Sequence, residues 1–135
     1  MNQAEKAKVF GALHKKGNPL VLYNIWDAGT ARAVAEAGAK ALATGSWSVA
    51  AAQGYADGEK IPLEELVGTV RSIIAVSDLP LSVDFEGAYS TEPAGAAANV
   101  AKLIEVGAVG INFEDRVVGG KGLHPVENQD RKSVV

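Results

Sequence analysis

The sequence predicts an α/β fold built on a parallel sheet. Short apolar runs alternate along the chain with longer stretches of helical periodicity. Alanine is abundant, glycine reaches 15 residues and aromatic residues make up only 6%, a mixture that favours helices packed closely on a sheet. Because the connections are short, we expect parallel strands joined by right-handed helical crossovers. This pattern leaves two architectures open: an open doubly wound sheet, and part of a (β/α)₈ barrel.

In the first half of the chain, two predicted strands precede the clearest helix. Residues 20–25 form the first strand, and Asp27 then takes the position of a helix N-cap. That helix stops at Gly38, and residues 40–44 read as a second buried strand. After a predicted loop, Pro62 opens the next helix at its favoured first position. The apolar side of this helix is Leu63, Leu66, Val67, Val70, Ile73 and Ile74.

The second half of the chain repeats the alternation. Residues 80–84 form a third strand, and Thr91 is expected to cap a helix that ends at Gly107. Residues 108–113 form a fourth strand, and residues 125–131 look like the start of another helix. The sequence therefore predicts about four βα units.

Length and charge exclude several classes of protein. The 135 residues fit one domain spanning 1–135, and the net charge of −3 without a basic cluster argues against a nucleic-acid partner. With no cysteine, disulfides, thiolate metal sites and a cysteine nucleophile are excluded. No run approaches the roughly 18 apolar residues of a membrane span. We therefore expect no membrane partner and a cytoplasmic location.

Polar residues gather directly after the predicted strands, at their carboxyl ends. They are Asn24 and Asp27, then Thr44, Ser46 and Ser48 with Asp57 beyond, then Asp84 and Glu86, and finally Asn112, Glu114 and Asp115. In both candidate architectures, ligands bind at this edge of the sheet. Asp84 and Glu86 are two residues apart, so they share a side while the strand geometry lasts.

Several carboxylates at one edge repel one another unless they are protonated or neutralised by a cation. With no Cys and only two His, the available oxygen ligands select a hard ion such as Mg²⁺ or Mn²⁺. Mg²⁺ usually keeps several waters, so one carboxylate can bind it directly while others hold its waters.

Structural roles compete with functional ones at most of these positions. Asp27 is favoured as an N-cap over a catalyst, and Asp115 with Arg116 can be a solvated surface pair. Trp26 and Trp47 are expected to be packing residues. The glycine-rich stretch at 119–122 matches neither common phosphate-loop pattern. Asp84 differs, because a carboxylate that closes a buried strand beside Glu86 has few structural roles.

Five stretches, each at a predicted strand end and in the right order, resemble one known family. They are Asn24-Ile25-Trp26-Asp27-Ala28, Leu42-Ala43-Thr44-Gly45-Ser46, Gly54-Tyr55-Ala56-Asp57-Gly58-Glu59, Ser82-Val83-Asp84-Phe85-Glu86-Gly87 and Gly107-Ala108-Val109-Gly110-Ile111-Asn112-Phe113-Glu114-Asp115. The chain resembles the isocitrate lyase/phosphoenolpyruvate mutase superfamily over about residues 20–131.

The resemblance implies a (β/α)₈ TIM-type barrel, of which this chain holds the N-terminal half. It also implies a Mg²⁺-dependent (or Mn²⁺-dependent) site where small 2-oxo acids have a C–C or C–P bond made or broken. By position, Asp84 resembles the direct metal ligand. The expected outer-shell carboxylates are Asp57, Glu86 and Glu114. Substrate binding is expected at Gly45, Ser46 and the amide of Trp47, and the expected catalytic residues are Asp57, Glu114 and Lys121.

The chain departs from the family pattern in two ways. Isocitrate and methylisocitrate lyases carry a catalytic Cys in the loop after the fourth strand, whereas residues 117–124 contain none. That loop is more similar to the mutase, phosphonopyruvate hydrolase and oxaloacetate decarboxylase side of the family. The second departure is length, because the family residues on later strands, including an Arg and a His that help hold substrate, are absent.

Three readings therefore stay open. The first is a Mg²⁺-dependent lyase or mutase-like enzyme. The second is an inactive half-barrel whose first and fourth strands leave unpaired edges, which predicts a homo-oligomer. The third is an unrelated open α/β sheet that acts as a small binding module.

Overall fold

Over the residues that the structure describes, four parallel strands form one sheet in the order β1-β2-β3-β4. The structure, a computed structural model, describes residues 1–133. The strands are β1 (Asn24–Ile25), β2 (Leu42–Thr44), β3 (Leu81–Asp84) and β4 (Gly110–Asn112). A doubly wound sheet reverses its strand order at a switch point, whereas a (β/α) barrel keeps the strands in consecutive order. The observed order is that of the barrel.

Six helices accompany the strands within residues 1–133. They are α1 (Gln3–Leu13), α2 (Ala28–Glu36), α3 (Ser46–Ala52), α4 (Leu63–Ile74), α5 (Pro93–Val106) and α6 (Val126–Ser133). The sequence predicted α2, α4, α5 and α6, and these predictions are confirmed. It did not predict α1, which buries none of its residues and so has no apolar stripe to detect. It also missed α3, a short helix inside the predicted loop.

Local sequence signals predicted some ends of helices and strands correctly and others wrongly. Asp27 caps α2, and Gly107 ends α5 with a left-handed φ of 108°. The first strand is shorter than predicted, since only Asn24 and Ile25 pair with β2. Pro62 is the N-cap of α4 and not its first residue.

The predicted cap at Thr91 is also wrong. The N-cap of α5 is Glu92, which leaves Pro93 at the first helical position. Proline suits that position because its missing N–H has no partner within the helix.

The core lies between one face of the sheet and the helices. Its fully buried members include Ile25, Leu42, Leu81, Val83 and Phe85. Because side chains alternate along a strand, the other face carries the intervening residues. Across that second face the register places Asn24, Ala43, Ser82 and Gly110 in one row.

The row of small residues leaves room for α1. An added Cβ at Gly110 would lie 2.8 Å from a ring carbon of Phe10 and 3.1 Å from the Ser82 hydroxyl. Phe10 of α1 therefore packs where a larger residue on β4 would collide with it. Gln3 secures the same helix by donating to the carbonyls of Ile104, at 2.7 Å, and Ala108, at 2.9 Å.

Within residues 1–133, no helix combines the length and the hydropathy that a membrane crossing requires.

Candidate active site

Two acidic residues at the end of β3 share a small cavity. Asp84 is the last residue of β3, and Glu86 follows two positions later. Together with Ser46 they line a cavity of about 10 Å³, whose other walls are Val49, Ile61, Leu66 and Tyr89. A cavity of this size accommodates about one water molecule or a small ion. Both residues line this cavity, although β3 ends at Asp84 and Glu86 no longer has strand geometry.

Two hydrogen bonds join Asp84 to the neighbouring strand end, one accepted and one donated by Asp84. The backbone N–H of Ser46 donates to Oδ2 of Asp84 at 2.9 Å, and the Asp84 N–H donates to the Thr44 hydroxyl at 2.9 Å. Both contacts cross from β3 to the end of β2. The carboxylate therefore has a defined position between two strands.

Gly45 allows the ends of β1 and β2 to approach each other. An added Cβ there would lie 2.8 Å from the amide nitrogen of Asn24 and 3.0 Å from the Ser48 hydroxyl. Any side chain at residue 45 would push Asn24 away from this edge. Glycine at this position therefore leaves the Asn24 and Ser48 side chains in place.

Glu86 sits in a strained turn. Its φ is 48°, and Ala88 and Tyr89 have φ values of 62° and 54°. Three non-glycine residues in left-handed conformation within four positions are costly, so the surroundings must hold them. The Tyr89 N–H donates to Oε1 of Glu59 at 2.9 Å, and Glu59 itself has a φ of 56°. Strain of this kind concentrates at functional sites.

The Glu86 carboxyl is buried among other carboxylates. Burial raises the pKa of Glu86 to about 7, and the nearby charges of Asp57, Glu59 and Asp84 add to the increase. A hydrogen bond from the Glu59 backbone acts in the opposite direction. A carboxyl with a pKa near neutrality can both accept and donate a proton, which suits general acid–base chemistry.

The structure brings only some of the predicted site residues together. Asp57 is exposed but close enough to raise the pKa of Glu86. The N–H of Glu114 donates to the carbonyl of Glu86 at 2.8 Å, yet its side chain lines a different cavity, with Phe113, Asp115, Arg116, Gln129 and Ser133. Lys121 is exposed in a loop closed by the pairing of Arg116 with Leu123.

The two tryptophans do not pack in the interior as predicted. Trp47 is 68% exposed and Trp26 is 39% exposed. Trp47 directly follows Ser46 in α3, and most of its side chain is in contact with solvent. The prediction failed because an aromatic residue within an apolar run gives no sign of which face of a short helix is covered.

The donor chemistry fits a hard divalent cation, although no complete ligand set is assembled. Within residues 1–133, no three His, Asp or Glu side chains form a group that could hold a metal ion. Asp84 and Glu86 nevertheless share one cavity, and Asp57 is near enough to affect Glu86. Carboxylate oxygens are the ligands that Mg²⁺ prefers, and a cation would relieve their mutual repulsion.

Three further residues surround Glu86 that the sequence did not single out as site residues. Glu59 and Tyr89 form the hydrogen bond that ties the turn to the preceding loop. Lys132 donates from α6 to the carbonyl of Gly87 at 3.0 Å. Glu59 lies inside a stretch that carried the family resemblance, so it could have been considered. The backbone strain and the burial of Lys132 leave no such signal.

The fold and the site define half of a (β/α) barrel with carboxylates gathered at the carboxyl end of its strands. The family model described as phosphoenolpyruvate phosphomutase matches residues 10–134, and the chain belongs to this family. A 2-methylisocitrate lyase of Escherichia coli is 30% identical over 118 residues, covering 87% of this chain and 40% of that protein.

Solved structures agree with this assignment. A protein described as a "putative phosphonomutase" from Burkholderia cenocepacia superposes with a TM-score of 0.94 at 43% identity, over 97% of this chain and 52% of that one. A phosphonopyruvate hydrolase solved with oxalate and Mg²⁺ shares the fold, with a TM-score of 0.87 at 17% identity, over 98% of this chain and 46% of that one. The predicted partial barrel and the predicted superfamily are thus confirmed. The chain spans about half the length of these structures.

Proposed function

We propose that the chain carries the metal-binding half of a Mg²⁺-dependent lyase or mutase-like enzyme that acts on small 2-oxo acids. The reaction cleaves a C–C or C–P bond next to a carbonyl. The observation that carries the proposal is the shared cavity of Asp84 and Glu86 beside the Ser46 amide. The cytoplasmic location expected from the sequence stays a prediction.

The names of two similar proteins support the proposed class of reaction, cleavage of a bond next to a carbonyl. One relative is a 2-methylisocitrate lyase, and one structural neighbour is a phosphonopyruvate hydrolase solved with oxalate and Mg²⁺. This chain has no cysteine, so within the family we place it with the mutase, phosphonopyruvate hydrolase and oxaloacetate decarboxylase types.

In this proposal the carboxylates have different roles. Asp84 would hold Mg²⁺ (or Mn²⁺) directly, and Asp57 and Glu86 would hold its waters. Glu114, which lines a different cavity in this structure, would have to turn towards Asp84 to hold a water as well. When bound, the ion supplies positive charge that offsets the negative charge developing on the substrate oxygen. Burial and the neighbouring carboxylates raise the pKa of Glu86 to about 7, so a cation that binds beside Glu86 would favour loss of its proton near neutral pH.

The glycine turn after β2 provides the substrate donors. Gly45, Ser46 and the Trp47 amide bind the carboxylate of the 2-oxo acid, and Lys121 contacts it from the loop. The Ser46 N–H already donates to Asp84, so a bound carboxylate would compete with Asp84 for this donor. Binding orients the reacting bond before any chemistry occurs.

Pyruvate release from oxaloacetate and from phosphonopyruvate tests the proposal. Mg²⁺ alone promotes oxaloacetate decarboxylation, so a protein-free blank is subtracted. We expect turnover with Mg²⁺, its loss in EDTA, and a decrease of about a hundredfold in Asp84→Asn. The control is Asp78→Asn, because Asp78 is exposed and pairs with Lys6 at 3.5 Å. No turnover, or equal turnover in both variants, would contradict the proposal.

A second candidate function is favoured by the edges of the sheet. Within the described part of the chain, β1 pairs only with β2, and β4 pairs only with β3. An apolar cavity of about 450 Å³ flanks β1, lined by Val21, Tyr23, Val34, Ala37, Gly38 and Ala39. Another of about 410 Å³ flanks β4, and its lining includes Ala7, Val100, Ile104 and Ile111. These are surfaces that a closed barrel covers.

The second candidate is therefore a half-barrel that self-associates and lacks activity. Four consecutive parallel strands are half of an eight-stranded barrel. Two copies related by a two-fold axis along the barrel would place β4 of each beside β1 of the other.

Sedimentation tests this arrangement. We expect a dimer that Ile104→Lys weakens, because Ile104 is 54% exposed beside the β4 edge. Val126→Lys is the matched control, since Val126 is 80% exposed on α6. A monodisperse 13.9 kDa monomer would rule this candidate out.

A further inference from the structure

Lys132 is a buried cation that the proposed reaction does not use. It is 4% exposed, although it lies on the otherwise polar helix α6. Its Nζ donates to the carbonyl of Gly87 at 3.0 Å and lies 5.0 Å from the centre of the Phe113 ring. Burying an ammonium group is costly unless specific partners compensate for the lost water.

The partners of Lys132 do not resemble an anion-binding site. Burial lowers the pKa of Lys132, and the negative charge of Glu59, which lines a cavity of about 280 Å³ together with Lys132, acts in the opposite direction. An anion entering this cavity would meet the Glu59 carboxylate as well as the ammonium group. The contacts that Lys132 makes within the chain therefore explain its burial better than an external ligand does.

A second residue of α6 makes the same kind of contact. Gln129 donates from Nε2 to the carbonyl of Glu114 at 3.1 Å. Residues three apart lie on the same side of a helix, so Gln129 and Lys132 face the sheet together. One contacts the backbone after β4, and the other contacts the backbone after β3. Helix α6 thus bridges two neighbouring strand ends.

The carbonyl that Lys132 contacts belongs to the strained turn. Gly87 follows Glu86 directly and precedes Ala88 and Tyr89, which also have positive φ values. An added Cβ at Gly87 would lie 3.0 Å from Val118 and 3.1 Å from Oε1 of Glu59, so the turn is closely packed on that side. Left-handed backbone at three non-glycine residues persists only when its surroundings hold it.

We propose that Lys132 is a positioning residue: by holding the Gly87 carbonyl, it keeps the turn at residues 85–89 in the conformation that sets Glu86 beside Asp84. Its role is exerted through the backbone, and it does not touch the reacting groups.

Amide hydrogen exchange tests this role without any substrate or metal. In Lys132→Met, which removes the ammonium group but keeps an apolar stem, we expect the Ala88 and Tyr89 amides to exchange about tenfold faster. Core amides of α4, such as Val70, should be unchanged. Lys132→Arg should restore slow exchange because it can still donate to the carbonyl. Lys102→Met is the control, since Lys102 pairs on the surface with Glu64.

Two outcomes would overturn the proposal. One is an unchanged rate at Ala88 and Tyr89 in Lys132→Met, and the other is an equal increase throughout the chain, which would indicate general destabilisation. If Lys132→Met does not fold, the contact is tested by NMR in the unmodified chain. We expect a scalar coupling across the hydrogen bond between the Lys132 ammonium nitrogen and the Gly87 carbonyl carbon. A missing coupling with fast ammonium exchange would contradict the contact.

An activity measurement extends the test and rests on the proposed function. We expect Lys132→Met to lower kcat more than it changes KM, with recovery in Lys132→Arg. If the unmodified chain shows no turnover, the proposed function fails, while the exchange experiment still decides the role of Lys132.

Discussion

The backbone N–H of Ser46 donates to Oδ2 of Asp84 at 2.9 Å, across 38 positions of sequence. This bond joins the first residue of α3 to the last residue of β3. The residue proposed to bind substrate and the residue proposed to bind metal are therefore directly connected.

The Ser46 amide is expected to report on ligand binding at Asp84. A cation at the Asp84 carboxylate, or an oxalate carboxylate at the turn, would weaken the Ser46–Asp84 bond. We expect the Ser46 amide resonance to shift when Mg²⁺ and oxalate are added together, and to stay fixed in Asp84→Asn. A shift at the exposed Asp78 that equals the shift at Ser46 would indicate nonspecific binding.

Glu86 is expected to make stability depend on pH. Its pKa is raised in the folded chain from 4.5 to about 7, so the folded state binds this proton more tightly than the unfolded state. Stability is therefore lost as pH rises from about 4.5 to 7, by about 2–3 kcal/mol in total. Glu86→Gln removes this dependence, so its stability relative to the unmodified chain should rise by that amount between pH 5 and pH 8.

Urea denaturation in EDTA at the two pH values measures this change. Glu127→Gln, on the exposed side of α6, is the matched control and should show no such trend. If the free energies of unfolding of Glu86→Gln and the unmodified chain differ by the same amount at both pH values, the raised pKa of Glu86 is disproved. Asp57→Asn should lower the pKa of Glu86, since the Asp57 charge is the second largest cause of the increase.

Asp27 is expected to stabilise α2 as its N-cap. Its Oδ1 accepts from the Thr30 N–H at 2.7 Å and from the Thr30 hydroxyl at 2.8 Å. These hydrogen bonds lower the pKa of Asp27 below its ordinary value of 3.8, so its contribution is present above that pH and is lost as pH falls through the lowered pKa. Asp27→Ala should cost about 1 kcal/mol at pH 7 and less at pH 3.

Chemical denaturation of Asp27→Ala and Asp27→Asn measures this contribution. The asparagine variant keeps an acceptor at the cap, so most of the stability should remain at pH 7, with little dependence on pH. Equal losses in both variants would show that the cap contributes through charge alone.

Alanine substitutions at Gly110 and Gly68 compare a glycine that packs closely against α1 with a glycine that has free space around it. An alanine at Gly110 would place its Cβ 2.8 Å from the Phe10 ring, whereas a Cβ at Gly68 in α4 meets nothing within 4 Å. Gly110→Ala should destabilise the chain by about 1–3 kcal/mol, because α1 must move. Gly68→Ala should stabilise it by about 0.5–1 kcal/mol, since alanine favours helix. Thermal unfolding of both variants distinguishes the two effects, and a stable Gly110→Ala would show that Phe10 does not pack there.

The elements that the sequence predicted correctly are those with local causes. Asp27 at the start of α2 and Gly107 at the end of α5 act through hydrogen bonds and dihedral angles within a few residues, so their chemistry is visible in the sequence. The alternation of strands and helices is visible for the same reason. Helix α1 escaped prediction although Asn2 and Glu5 form a local capping box, because it has no apolar stripe and packs against residues such as Gly110, 100 positions from Phe10.

The chemistry of the site depended on the tertiary structure. The sequence by itself determined which strand ends carry acidic residues, because that follows from strand boundaries. Only the folded chain decided that Asp84 and Glu86 share a cavity while the Glu114 side chain lines another, and that Lys132 lies buried against the Gly87 carbonyl. The raised pKa of Glu86 likewise comes from burial and from Asp57, which lies 29 positions away. Distances between residues far apart in the chain set these properties, and no local pattern encodes them.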